Sequence, residues 1–317
     1  MIEISVIIPT YERINSLCDT LESVLACKNV PAEIIIVDQS KDTAVSKKAM
    51  NQVTGEYKGH LHYEHMETPS STAARNRGIE LANYDILVFM DDDIHVEENT
   101  FENVFSLMQD EKYAMVGGLN RRATANGRLF PFLFDFRSWK NRKIGHVTDA
   151  MFGRYPDPDV VTQEINTQWA MGFFFAVKKS LLDEWKIRFD ETLGKYAYAE
   201  DLDFSFSYYK KAKETGLRCV LTPQVKVDHL CSQEWRESNR RASYVIVFNR
   251  YYLIHKHKIG GKHKIVFYWS NLGLLIKKIK EKDNLRDFMQ ATRDCYQYRK
   301  DIAKGIMHTE LYDKKCS

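Results

Sequence analysis

Residues 86–93 read Ile-Leu-Val-Phe-Met-Asp-Asp-Asp. Five consecutive apolar residues stopped abruptly by charge suit a short strand buried on both faces. Three neighbouring carboxylates at its end repel one another unless a cation lies among them. Alternation along an extended chain puts Asp91 and Asp93 on the same side. Hard oxygen ligands of this kind suit Mn²⁺ or Mg²⁺, which can also bridge to a diphosphate. A solvated acidic turn or a helix cap would use the same letters, so the surrounding sequence has to decide.

Toward the N-terminus, strands and helices alternate. Ile4–Pro9 is a short apolar strand. Arg13–Ala26 has Leu17, Leu21, Val24 and Leu25 on one helical face. Pro31 precedes a second strand, Ile34–Asp38. A polar, Lys-rich helix and a His-rich extended piece follow. Ser70–Ala82 reads as a helix, with Pro69 and the Ser70, Ser71 and Thr72 cluster offering a start and an N-cap. This order predicts an α/β fold with a mostly parallel, Rossmann-like sheet flanked by helices. Such sheets bind ligands beyond the carboxyl ends of their strands, where Asp38 and the aspartate triplet both fall.

Toward the C-terminus, residues 120–166 are irregular, with Arg121, Arg122, Asn126, Gly127, Pro131, Trp139, Gly145, Gly153, Pro156 and Pro158. Long ordered loops are usually functional. Phe173–Val177 returns to a strand, Glu200–Ala212 is a helix, and Val225–His229 is a late strand. Tyr244–His255 and Lys262–Lys280 are helical in pattern. No internal repeat is present.

The 317 residues suit one α/β domain with an extension. Hydrophobic content of 44% and charged content of 28% are ordinary for a globular protein. The net charge of +3 conceals a split. Residues 1–230 carry about −7 and residues 231–317 about +10, so a basic, helical extension over 231–317 follows a mildly acidic body over 1–230. Cys18, Cys27, Cys219, Cys231, Cys295 and Cys316 lack paired metal-type spacing, and reduced thiols are expected. The N-terminus runs straight into a strand without a signal-peptide pattern. The longest apolar run, Ile265–Ile276, holds Ser270 and Asn271 and is shorter than the roughly 20 residues of a spanning helix. A cytoplasmic protein is expected.

Val-Ile-Ile-Pro-Thr-Tyr at 6–11, the strand ending in Asp38, Ala-Arg-Asn at 74–76 with Gly78-Ile79, and Phe-Met-Asp-Asp-Asp at 89–93 occur in one order. Gly172 before an aromatic strand and Glu200-Asp201 opening a helix continue it. Together this set resembles family 2 glycosyltransferases of the GT-A fold over about residues 3–230. Asn249-Arg250 and Tyr251-Tyr252 are similar to the tails of bacterial polysaccharide and rhamnosyl-type transferases. The resemblance implies an inverting, metal-dependent transfer from a nucleoside-diphosphate sugar to a hydroxyl of a cell-surface glycan or lipid-linked acceptor.

The resemblance also implies roles. Thr10, Tyr11 and Glu12 would wrap the nucleotide base, with Asp38 accepting from uracil N3–H. UDP is preferred on that ground, although thymine offers the same donor. Arg75 would bind diphosphate or base edges. Asp91 would touch ribose or base beside Asp92, with Asp93 the principal metal ligand and His229 a further one. Asp201 would be the general base, next to Glu200 on the acceptor side. Gly172 permits close backbone approach to the donor. Trp169 and Met171 precede it, the indole being either a sugar-stacking surface or a core residue.

A sugar nucleotidyltransferase would need a glycine-rich phosphate loop where this chain has Pro9-Thr10-Tyr11-Glu12-Arg13. A nucleic-acid binder using the basic tail would leave the acidic positions without a purpose, so no nucleic-acid partner is expected. An inactive protein of the same fold would not need every acidic position filled. The tail interleaves basic residues with Tyr244–Phe248, Tyr251–Ile254 and Ile265–Trp269, a pattern that suits a helix lying on an anionic membrane surface.

Overall fold

Ile7, Ile35, Leu87 and Phe89 are buried in one core cluster, and Ile4, Val6, Ile8, Ile34, Ile36, Val88 and Met90 in another. Alternate residues of the same strands thus feed two cores, one on each face of a sheet. This is why those strands are apolar at consecutive positions. The computed structural model describes residues 1–123, 145–156, 158–194, 198–231, 238–259, 263–280 and 285–312. Asn126, Gly127, Pro131, Trp139, Lys262 and Cys316, singled out in the sequence, lie outside the described residues.

The strands are β1 (Ile2–Thr10), β2 (Pro31–Asp38), β3 (His60–His65), β4 (Ile86–Met90), β5 (Ile94–Val96), β6 (Tyr113–Asn120), β7 (Ile165–Asn166), β8 (Phe174–Lys178) and β9 (Arg218–His229). The helices are α1 (Ile14–Leu25), α2 (Thr43–Thr54), α3 (Ser71–Leu81), α4 (Thr100–Met108), α5 (Lys179–Trp185), α6 (Glu200–Glu214), α7 (Asn239–Lys256), α8 (His263–Lys280), α9 (Leu285–Gln297) and α10 (Arg299–Ile302). All strands join one sheet in the order β3-β2-β1-β4-β8-β6-β9-β5, with β7 on β9. The α/β fold anticipated from the sequence is present.

The parallel pairing expected of most of the sheet holds across β3-β2-β1-β4 and again between β6 and β9. β8 runs antiparallel to both β4 and β6. That reversal has a structural consequence. The start of β8, not its end, meets the end of β4, and Asp91 N–H donates to Phe173 O at 3.0 Å. Gly172 is thereby brought to the aspartate triplet. β5 pairs antiparallel with the end of β9, aligning Ile94 with His229, and Leu230 N–H donates to Asp93 O at 2.9 Å. Sheet connectivity therefore gathers three distant segments of sequence at one strand end.

The C-terminal helices share a third core cluster with the body. Tyr244, Val245, Phe248 and Tyr251 of α7 are buried with Trp169, Leu193, Ala199 and Leu202. The apolar residues of α7 read in the sequence as facing a membrane are therefore core. Packing is continuous across the 230/231 boundary drawn from the charge split.

Candidate active site

The strand-to-turn geometry at the end of β4 divides the three aspartates. Asp91 and Asp93 face one way and Asp92 the other. One carboxylate oxygen each of Asp91 and Asp93 and one ring nitrogen of His229 lie within 4.8 Å of one another. Ligand atoms about 2.1 Å from a common ion lie roughly 3–4 Å apart, so this set fits a divalent cation with small adjustment. His229 Nε2 is 3.2 Å from Asp93 Oδ1. Its ring stacks on Phe173 at 5.5 Å, and its backbone N–H donates to Asn120 Oδ1 at 3.2 Å. Burial alone would lower the His229 pKa, but the hydrogen bond to Asp93 and the charges of Asp91 and Asp93 raise it. An imidazole drawn toward the cationic form beside two carboxylates marks a place where positive charge is favoured.

Asp92 is committed to the protein. Its Oδ2 accepts from Thr10 Oγ1 at 2.7 Å, its Oδ1 from Arg13 Nη1 at 3.2 Å, and its carbonyl from Thr20 Oγ1 at 2.8 Å. Burial pushes its pKa up to about 7 against the pull of Arg13 and Thr10. The Thr10 hydroxyl and Asp92, both read in the sequence as nucleotide contacts, thus hold each other and lock β1 to the triplet. Arg13, which the sequence reading passed over as a helix start, also reaches to 3.7 Å from Asp93.

Thr10 aligns with Asp38 across the parallel β1–β2 pair. Asp38 is fully buried; its Oδ1 accepts from Ser40 N–H at 2.8 Å and its Oδ2 from Tyr63 Oη at 2.6 Å. Glu12 adopts a left-handed backbone, φ +54°. It ties the two loops together, its N–H donating to Ser40 Oγ and its Oε1 accepting from Lys41 N–H. Tyr11 is half-buried beside them.

Arg75 comes from α3, whose N-cap Ser70 accepts from Ala73 N–H. Its guanidinium is buried. Nη2 donates to Asp91 Oδ1 at 2.8 Å and to Gly172 O at 3.3 Å, and Nη1 donates to Glu200 Oε1 at 2.9 Å. The charge also lies over the Phe189 ring, 5.4 Å from its centroid. Arg75 is therefore a bridge between two acidic groups 109 positions apart in sequence, with Nη1 and Nη2 directed at protein carboxylates and the buried Nε without a hydrogen-bond partner among the described residues.

Gly172 is the joint of this bridge. Its N–H donates to Asp201 Oδ2 at 2.7 Å while its carbonyl accepts from Arg75. A methyl on its Cα would sit 3.1 Å from Asp201 Cβ and 3.2 Å from Arg75 Nη2, so a side chain here would push the two apart. Met171, immediately before, is exposed. Trp169 is not an open stacking surface. Its indole is buried, edge-on to Tyr155 at 5.3 Å, with Gly153 directly beneath it.

Glu200 and Asp201 open α6. Burial raises the pKa of both, reinforced for Glu200 by Asp201, while Arg75 and the N–H donors of Gly172 and Leu202 oppose the shift. Glu200 is spoken for by Arg75. Asp201 Oδ1 and Oδ2 accept from Leu202 and Gly172 N–H respectively, and its remaining lone pairs can take a proton. Ala199, just before the pair, has φ +69°, a conformation that costs a non-glycine residue about 1–2 kcal/mol and must be held by its surroundings.

The holding comes from α7. Asn249, Tyr252 and Lys256, spaced i, i+3, i+7, lie on one face and all reach segment 190–203. Asn249 Nδ2 donates to Tyr198 O at 3.1 Å and to Leu193 O at 3.5 Å. Tyr252 Oη donates to Asp190 at 2.7 Å. Lys256 Nζ lies 2.6 Å from Asp190 and 2.7 Å from buried Asp203, which His257 Nε2 also contacts at 2.7 Å. The sequence reading named Asn249 and Tyr252 only within the tail resemblance and gave none of these residues a role at the site. Their signal was a polar stripe at helical spacing in an otherwise apolar stretch.

Comparison with known proteins bears on the family and the fold. The model for Glycosyl transferase family 2 matches residues 5–185. Over 99% of this chain and 94% of the relative, 22% of positions are identical to poly(ribitol-phosphate) beta-N-acetylglucosaminyltransferase TarP of Staphylococcus aureus (strain N315). An uncharacterized glycosyltransferase of Bacillus subtilis (strain 168), YwdF, is 25% identical over 56% of this chain and 68% of its own length. Among solved structures, GalNAc-T7 with UDP, GalNAc and Mn²⁺ superposes with a TM-score of 0.62 at 16% identity, over 99% of this chain and 57% of that one. The mannosyltransferase PcManGT from Pyrobaculum calidifontis, in complex with GDP-Man and Mn²⁺, gives 0.56 at 16% identity, over 99% and 88%.

Proposed function

The chain belongs to glycosyl transferase family 2, and from that premise we propose an inverting, metal-dependent hexosyl or deoxyhexosyl transfer from a nucleoside-diphosphate sugar to a glycan hydroxyl. The observation that carries this reading is the buried Arg75 bridge. One guanidinium holds Asp91 of the cation-type set and Glu200 of the acidic pair, so the place for the leaving diphosphate and the place for a base are built as one unit. Asp91, Asp93 and His229 would hold Mn²⁺ or Mg²⁺, which when bound supplies positive charge against the departing nucleoside diphosphate. Asp201 takes the proton of the acceptor hydroxyl as that oxygen bonds to the anomeric carbon from the face opposite the diphosphate. The anomeric C–O bond breaks toward phosphate, its electron pair leaving with the diphosphate. Glu200 and Gly172 keep Asp201 in position.

UDP is the preferred donor in this reading. The buried Asp38, held by Ser40 and Tyr63 at the end of β2, would be the acceptor for a pyrimidine N3–H. The staphylococcal relative is named for β-linked transfer of N-acetylglucosamine to a poly(ribitol-phosphate), and it favours a cell-surface polymer or lipid-linked chain as acceptor here. The basic extension would bring the protein to the anionic, cytoplasmic side of a membrane carrying such an acceptor. A panel of α-linked UDP-sugars with Mn²⁺ tests the reaction: NMR of the product is expected to show a β linkage. A retained α linkage refutes single displacement.

A further inference from the structure

Trp169 is buried in a way that its surroundings must enforce. Its indole is 5% exposed, and Nε1 has no hydrogen-bond partner among the described residues. An unmet buried donor costs about 1–3 kcal/mol, a penalty that turning Nε1 to solvent would remove. The segment 145–156 keeps the ring in place. Gly145 N–H donates to Arg154 O at 2.7 Å, Arg154 N–H to His146 O at 2.8 Å and Thr148 N–H to Phe152 O at 2.9 Å, so the chain folds back on itself as a hairpin. Its first arm is laced to the stretch that carries Trp169. Gln168 N–H donates to Gly145 O at 2.7 Å, and Val147 N–H donates to Gln168 Oε1 at 2.8 Å. In its second arm, Gly153 lies against the indole, where an added methyl would come within 2.0 Å of Cζ2. Tyr155 meets Trp169 and Phe173 edge-on at 5.3 Å and 5.9 Å, and its hydroxyl donates to Gly118 O at 2.6 Å. The stretch between Trp169 and Phe173 contains Gly172, whose N–H and carbonyl hold Asp201 and Arg75. The seat of the hairpin therefore sets the path of the chain through Gly172.

One residue of α7 grips the turn of this hairpin. Arg250 is fully buried. Its Nε donates to Ala150 O at 2.9 Å, its Nη1 to Asn271 Oδ1 at 2.8 Å and its Nη2 to Ser270 Oγ. The guanidinium carbon lies 3.9 Å from the centroid of the Phe152 ring and 5.4 Å from that of Phe267. Ala150 and Phe152 belong to the turn, and Phe267, Ser270 and Asn271 to α8. The guanidinium plane is thus fixed on one side by α8 and presents a donor and a face to the hairpin. Met151, between the two turn contacts, is fully buried with φ +54°, a conformation that costs about 1–2 kcal/mol and needs support from outside the turn. A lysine ammonium could not supply it, because one point charge has neither the fork nor the planar face of a guanidinium. We infer that Arg250 is a positioning residue for the transfer reaction: through the 145–156 hairpin it holds Trp169, and through Trp169 it holds Gly172, on which Asp201 is seated. This inference rests on the reading of Asp201 as the base. Asn249, its neighbour in sequence, supports the other flank through the Tyr198 and Leu193 carbonyls, so consecutive residues of α7 serve the two sides of the acidic pair.

The test pairs an optical and a kinetic reading on the full chain. Arg250→Lys and the milder Phe152→Leu are each made alone and together with Trp169→Phe. Released from the hairpin, the indole gains water, so tryptophan emission should shift to the red. That shift should vanish in the Trp169→Phe background. The kinetic reading is UDP release, with Mn²⁺, from the UDP-sugar that the wild-type chain turns over. Its kcat should fall by as much as about 10²-fold in Arg250→Lys, the scale of a small misplacement of reacting groups, and by less in Phe152→Leu. The Kd of Mn²⁺–UDP, measured by calorimetry, should stay at the wild-type value, which a general loss of structure would not allow. If Arg250→Lys fails to fold, Phe152→Leu carries both readings. An emission shift that persists without Trp169, or none at all, overturns the link from Arg250 to Trp169. Unchanged kcat in a variant whose emission has shifted, or a loss of Mn²⁺–UDP affinity equal to the loss of kcat, overturns the positioning role. A wild-type chain that releases UDP from no sugar of the panel overturns the transfer reading itself, and the role of Arg250 with it.

Discussion

The two acidic ends of the candidate active site are built differently. The Asp91–Asp93 end is made by a strand. Backbone alternation sends Asp91 and Asp93 to one side and Asp92 to the other, and pairing with β8 and β9 brings Phe173 and His229 alongside. The Glu200–Asp201 end is made by a helix start preceded by a left-handed alanine, and it is braced from outside by α7. A strand end comes already positioned by its ladder. A helix end that departs from a strained turn depends on contacts supplied by distant sequence. The two ends should therefore fail separately when each is disturbed.

The largest effect is expected at the strand end. Asp93→Ala removes the carboxylate proposed to hold the cation and should lower transfer by at least about 10³-fold, together with the Mn²⁺-dependence of UDP binding measured by calorimetry. Circular dichroism should show the fold retained. Full activity in that folded variant would remove the cation site from the mechanism.

Next comes the helix end. Asp201→Asn keeps shape and loses proton affinity, so kcat should drop roughly 10²–10⁴-fold while UDP and Mn²⁺ binding stay near wild type. A variant that instead bound donor poorly but turned over normally at saturation would make Asp201 a binding residue.

The brace should give a smaller and more selective effect. Asn249→Ala leaves the Tyr198 and Leu193 carbonyls without this donor, costing about 1–3 kcal/mol of stability, and it loosens the approach to Glu200-Asp201. A fall in kcat of roughly tenfold is expected, since small misplacements of reacting groups carry such penalties. KM for donor and Mn²⁺–UDP affinity should be unmoved, and Asn249→Asp should not restore the rate, because its carboxylate cannot donate to the carbonyls. An equal loss at both ends would erase the distinction drawn here.

The pH profile should sharpen it further. Burial raises the pKa of both Glu200 and Asp201. A base works only when deprotonated, so raising its pKa moves the loss of activity on acidification to higher pH. With metal saturating, the acid limb of kcat/KM is expected to fall above the ordinary carboxylate range near about 4. An acid limb at ordinary carboxylate pH would mean that the pair is well solvated in the working enzyme.

Much of the strand end was legible in the chain. The run Ile86–Met90 closed by three aspartates specifies a buried strand and, through the two-residue period, which carboxylates share a side. The order of segments around it specifies the α/β fold, because consecutive strand–helix patterns leave few ways to cover both faces of a sheet. The antiparallel direction of β8 was not legible, since an apolar pentapeptide reads the same in either direction. Nor was the purpose of Arg75, whose spacing places it on α3 but whose partners arrive from residues 91, 172 and 200. Trp169 read equally well as stacking surface or core, and only its burial against Tyr155 decided for core.

The tail shows the limit most clearly. Its sequence fixed charge, helical period and the absence of a spanning run, because those are local properties of composition and spacing. Which apolar face of α7 or α8 meets protein and which meets solvent is a property of the neighbours, and both faces are written in the same residues. Tertiary packing buried the α7 face among Trp169, Leu193, Ala199 and Leu202, turned Asn249, Tyr252 and Lys256 into a brace for the start of α6, and left Ile265, Trp269, Leu272 and Ile279 exposed. Periodicity determines that a helix has faces, but only the surrounding fold determines what each of them touches.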